Sequence, residues 1–98
     1  MKLIWTDTAK SDLVSIFTYI ASDNRTAAKR LVNLIRERAR NVILSPLSGR
    51  KVPELSRDDI RELIEGNYRI VYQVLPERIL ILTVFEGHRL LLPHIVMS

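Results

Sequence analysis

The chain changes its hydrophobic period part-way along. A short apolar run, Lys2 to Trp5, reads as a strand, and Thr6 and Asp7 after it are suited to cap a helix. From Asp7 to Ser22 the apolar positions recur at helical spacing, with Ala9, Leu13, Ile16, Phe17 and Ile20 on one face. Ser22-Asp23-Asn24 ends this helix and caps a second from about Arg25 to Leu44, whose predicted buried face is Ala28, Leu31, Leu34, Ile35, Ala39 and Val42. So short a link predicts an antiparallel helical hairpin. Pro46 stops the second helix, and Ser45 to Asp59 has the composition of a loop, long enough to be functional or mobile.

Beyond residue 59 the period drops to two. Ile60 to Glu65 fits a strand or a helical turn. Tyr68 to Leu75 and Arg78 to Glu86 are β-branched and aromatic, joined by a Pro76-Glu77 turn. The apolar tail Leu90 to Ser98 has room for a short edge strand, interrupted at Pro93. The expected fold is α+β, in the order β-α-α-β-β-β. A small antiparallel sheet packs against the N-terminal helical hairpin, and residues 1–98 form one domain. A two-residue turn sets Leu75 opposite Arg78 and therefore Arg69 opposite Val84, with Glu86 on the diagonal. In this register both sheet faces are rich in apolar groups. The second face is then a docking surface, or is covered by the loop, the tail and the sheet's own curl.

Composition narrows the chemistry. The chain has no cysteine, which excludes disulfides and thiolate metal sites and fits the cytoplasm. Its apolar runs are too short for a signal peptide or a membrane span, so no membrane partner is expected. The formal charge of +4 permits an acidic partner, nucleic acid or protein. Lys29, Asn33, Arg36 and Arg40 line one side of the second helix, and Arg50, Lys51, Arg57 and Arg61 form a second basic group near the long loop.

Candidate reactive residues are few. Arg69 and Arg89 sit at the ends of the most apolar hairpin. They are placed either to pair with the sheet's own carboxylates, Glu86 for Arg69, or to converge on a phosphate or carboxylate. His88 has the reference pKa of an acid–base group, whereas His94 follows Pro93 in an apolar tail and reads as structural. There is no histidine–carboxylate spacing for a metal, no phosphate-loop glycine pattern and no triad context for Ser45, Ser48 or Ser56, so neither metal nor cofactor is expected.

The segments DLVSIFTYIASDNRTAAKRLVNLI, LSGRKVPEL, RELIEGNYRIVYQV and ILILTVFEGHR, in that order and spacing, resemble the RelE/ParE superfamily of toxins from type II toxin–antitoxin modules. The resemblance implies the same small sheet with an α-hairpin, a cytoplasmic protein causing growth arrest or plasmid stabilisation, and one of two activities. RelE-like members cleave messenger RNA in the ribosome; ParE-like members poison DNA gyrase by binding. Arg69 and Arg89 match the arginines of the ribonuclease pattern, with His88 or His94 available as acid. Where that pattern wants lysines, however, Ile60 and Glu62 stand, and the tail has no tyrosine. The ParE-like branch is therefore the closer, with the ribosome-dependent endoribonuclease as the alternative. The implied partner is an acidic antitoxin of ribbon-helix-helix type. The residues expected to meet target or antitoxin are Arg61, Arg69, Tyr72, Phe85, Arg89, Leu92 and His94.

Overall fold

The computed structural model describes residues 1–87. The candidates His88, Arg89, Leu92 and His94, and the predicted tail strand, lie outside them. The described chain runs β1 (Lys2–Trp5), α1 (Asp7–Ala21), α2 (Arg25–Asn41), a 3-10 turn (Val42–Leu44), β2 (Arg50–Lys51), β3 (Ile60–Glu65), β4 (Tyr68–Val74) and β5 (Arg78–Glu86). This is the expected α+β order, with a two-residue strand added inside the long loop.

Both helices begin where side-chain chemistry dictates. The Thr6 hydroxyl accepts from Ala9 N–H and donates to the Ile81 carbonyl, so one residue caps α1 and ties it to β5. Asn24 accepts from Ala27 N–H and starts α2. Ala9, Leu13 and Ile16 of α1 are buried, as are Ala28, Ile35 and Ala39 of α2. Leu34 departs from the expected face and remains 41% exposed.

The five strands form one open sheet in the order β1-β5-β4-β3-β2. Neighbours from β2 to β5 are antiparallel, while β1 lies parallel to β5 at the edge, so the sheet is mixed. The parallel edge follows from connectivity: the whole helical hairpin separates β1 from the rest, long enough for a crossover. Gly66, at φ +58°, takes the first corner of the tight β3–β4 turn, a conformation open to a residue without Cβ.

The Pro76-Glu77 turn sets the expected start of the hairpin, with Val74 opposite Ile79. The register then slips by one. Val71 faces Thr83 and Tyr72 faces Ile81, leaving Leu82 as the extra residue of a β-bulge. Arg69 consequently stands opposite Phe85, not Val84. Past the bulge the inward and outward positions exchange: Val84 joins the helix-side core with Ile70, Tyr72, Ile79 and Ile81, whereas Phe85 joins the opposite face. Sequence alternation carries no mark of a bulge, because both faces here are apolar.

The second face is not left bare. Val52 and Leu55 of the long loop pack on Ile60, Val71 and Leu82, with Leu80 and Phe85 at the margin. The loop therefore folds back over part of that face as a cover.

Candidate functional site

The covering loop is held by groups that the sequence pattern offers to a partner. Tyr72 is fully buried, and its hydroxyl donates to the Pro46 carbonyl at 2.8 Å while accepting from Gly49 N–H at 2.9 Å. A Cβ on Gly49 would lie 2.6 Å from that hydroxyl oxygen and 2.7 Å from the Glu62 carbonyl, so only glycine fits there. Arg61, across the ladder from Tyr72, donates to the carbonyls of Asp58, Leu47 and Gly49. Tyr72 and Arg61 thus hold residues 46–49 against the sheet.

Arg69 is the most constrained of the candidates, at 5% exposed. Its two terminal nitrogens fork onto Glu54 at 2.8 Å each, and its Nε reaches Glu62 Oε1 at 2.7 Å. Glu62 has no exposed side-chain surface, and its second oxygen accepts from Arg50 Nε at 2.5 Å. Phe85 lies under the guanidinium, 5.0 Å from ring centre to carbon. The Glu54 hydrogen bonds, then those of Glu62, hold the Arg69 pKa well above its ordinary value, against the opposing effect of burial. The carboxylates seen to grip Arg69 are Glu54 from the loop and Glu62 from β3, and the bulge places Phe85 opposite it and Glu86 opposite Tyr68.

Glu54 and Glu62 escaped the sequence reading. Glu62 carries a usable signal: it occupies an inward position of β3, two residues from the buried Ile60, and a carboxylate there requires a buried cation. Glu54 carries none, since its reach depends on how the loop folds. Asp12 was also missed; its Oδ2 accepts from the Thr83 hydroxyl and Val84 N–H, pinning α1 beside the bulge.

The basic groups separate into two kinds. Around the loop, Arg50 pairs with Glu62, Lys51 with Asp58 and Arg57 with Asp59. Lys51 holds the Asp58 carboxyl below its ordinary value; a hydrogen bond from Gln73, then one from Arg57, does the same for Asp59. On α2, by contrast, Lys29, Asn33, Arg36 and Arg40 are all exposed, and the three cations have no ion-pair partner among the described residues.

Among the hollows that open on the described surface, two bear on binding. One of about 610 Å³ surrounds Met1, Lys2, Ile4 and the Pro76-Glu77-Arg78 turn, and brings no buried reactive group to a point. The other, about 550 Å³, lies between α1 and the ends of β4 and β5, lined by Asp12, Ser15, Ile16, Tyr19, Tyr68, Val84, Phe85 and Glu86. Tyr19, 79% exposed, stands at its rim. Its apolar lining with a few carboxylates is the character of a binding cleft. Of the described candidates, then, Arg69 and Phe85 come together, Arg61 and Tyr72 form a separate staple, and only Phe85 borders the cleft. Among the described residues no three metal-ligating side chains cluster, and no helix is long and apolar enough to cross a membrane.

A family model described as the ParE toxin of the type II toxin–antitoxin system, parDE, matches residues 3–91. Among solved structures, the chain is similar to one of the chromosomal ParDE toxin–antitoxin system from P. aeruginosa, with a TM-score of 0.72 and 25% identity over 88% of this chain and 95% of that one. It is similar in fold to a chain of the RelBE2 toxin–antitoxin complex from Mycobacterium tuberculosis, with a TM-score of 0.64 and 23% identity over 87% of this chain and 95% of that one. No curated protein matches it in sequence.

Proposed function

The chain belongs to the ParE toxin family of type II toxin–antitoxin systems, and from that premise we propose that it acts by binding DNA gyrase rather than by cutting RNA. Arg69 carries this reading. It aligns with the arginine that the ribonuclease pattern uses on phosphate, yet here its fork is filled by Glu54 and its Nε by Glu62. A phosphodiester competing for Arg69 has to displace one carboxylate and strip a fully buried one of a cation, a cost on the order of several kcal/mol. The positions where that pattern wants lysines hold the buried Ile60 and the anionic Glu62, which attract no phosphate. Binding without chemistry makes no such demand.

The family setting also calls for an antitoxin. We assign its extended segment to the cleft beside Tyr19, where apolar side chains are open to a partner. A ribbon-helix-helix DNA-binding half fits that role.

The test is a supercoiling assay with the purified chain. Toxin excess is expected to leave relaxed plasmid unconverted, with gyrase-cleaved DNA accumulating, and antitoxin to restore supercoiling. Normal supercoiling at large excess, together with new message cuts in primer extension during translation, would overturn the reading in favour of the ribonuclease.

A further inference from the structure

The excess charge of this molecule is gathered on one helix. α2 carries Arg25, Lys29, Arg30, Arg36, Arg38 and Arg40 against the single acid Glu37, a surplus of five, while the whole chain has only +4. The remainder is therefore slightly acidic, and its loop cations are absorbed by Glu62, Asp58 and Asp59. Within α2, Arg38 is occupied by Glu65 and the Ile64 carbonyl, and Arg25 lies over the Phe17 ring. Lys29, Arg30, Arg36 and Arg40 remain and face solvent, and of these Lys29, Arg36 and Arg40 share one side of the continuous helix.

We propose that this face of α2 seats the phosphate backbone of duplex DNA. From Lys29 to Arg40 the rise along the axis is about 16 Å, long enough for the three side chains to meet separate phosphates of a duplex, whose charges fall about every 1.7 Å of its axis. The three cations are carried by a rigid element, so little order must be imposed when they bind. Other anionic partners fit less well. Single-stranded nucleic acid is gripped by stacking on aromatic side chains, and α2 contains none. An acidic peptide needs apolar anchors between its charged contacts. Here Asn33 and Glu37 fill the exposed turns between the cations, and the half-exposed Leu34 lies on the flank towards Arg38. A straight row of cations without apolar or aromatic groups between them reads backbone charge and no sequence. The surface goes beyond the gyrase reading and does not depend on it; it would let the chain lie on a duplex beside whatever protein it engages.

The experiment measures binding of the purified chain to a fluorescein-labelled 20-base-pair DNA duplex by anisotropy, between 50 and 200 mM salt. Lys29→Gln/Arg36→Gln/Arg40→Gln is compared with the charge-matched control Lys2→Gln/Lys10→Gln/Arg78→Gln, after circular dichroism has shown both to be folded. The α2 variant is expected to bind at least tenfold more weakly, with the slope of log K against log salt reduced by about 2.7, the sum for three lost phosphate contacts. The control is expected to stay within about twofold of the parent at each salt concentration. Equal weakening of both variants, no binding at 50 mM salt, or tighter binding of the single strand, of an RNA duplex or of a polyglutamate peptide would each overturn the proposal. No gyrase is present, so the outcome is independent of the supercoiling assay.

Discussion

Replacing Arg69 by alanine tests whether this arginine serves the fold. The substitution removes a guanidinium that is 5% exposed and leaves three consequences of different size. Glu54, with 19% of its side chain exposed, can turn to water at little cost. The ring of Phe85 loses a cation above it, worth about 1 kcal/mol. Glu62 is the severe case: its side chain has no exposed surface, so its charge stays buried with Arg50 alone on one oxygen. Breaking a buried pair from one side costs about 3–5 kcal/mol, and the surviving Arg50 contact places this case near 3. With a urea slope of about 1.5 kcal/mol per molar, the unfolding midpoint falls by roughly 2 M. Removing both charges reverses the logic. Arg69→Met with Glu62→Leu leaves no buried ion, and is expected to lie within about 1 kcal/mol of the parent, a coupling of about 2 kcal/mol in a double-mutant cycle. Urea titrations followed by circular dichroism measure Arg69→Ala, the double variant, and the singles Arg69→Met and Glu62→Leu that close the cycle. A loss below about 1 kcal/mol in the single variant, or losses that simply add in the double, would refute the structural assignment. The double variant also bears on function: folded and still arresting growth, it supports action by binding, because a catalytic arginine cannot be replaced by methionine.

Gly49→Ala places a methyl 2.6 Å from the Tyr72 hydroxyl and 2.7 Å from the Glu62 carbonyl, one of them backbone; it is expected to lower stability by about 1–3 kcal/mol and to speed amide exchange across residues 45–55. Unchanged exchange there would show that the loop is not held by this contact. The Asp59 carboxyl, lowered by Gln73 and then by Arg57 from an ordinary 3.8, contributes stability that is present above that value and disappears as pH falls through its lower folded-state value. Gln73→Leu is expected to move its titration in carbon-detected NMR upward towards 3.8, and an unmoved titration would mean that Arg57 alone sets it.

Much of the architecture is determined by local pattern. The helical face of Ala9, Leu13 and Ile16, the caps Thr6 and Asn24, the stop at Pro46 and the Pro76-Glu77 turn are each set by residues within a few positions of one another, and local rules suffice to read them. The basic stripe of α2 is equally a matter of spacing along one helix. The site is different. Glu62 at an inward strand position announces that a cation must come, but not that Arg69 and Arg50 both answer.

What only the tertiary structure decided concerns partners distant in sequence on a sheet with two apolar faces. Sliding β5 by one residue at Leu82 exchanges Val84 and Phe85 between faces without exposing either to water as a polar mismatch, so hydrophobic patterning is blind to it. That slip puts Phe85, rather than Val84, opposite Arg69. The fold of residues 45–59 then brings Glu54 to the same guanidinium and Gly49 to Tyr72. Alternation measures which residues avoid water. It contains no information on which of two dry faces they choose, or on which carboxylate closes over a buried charge.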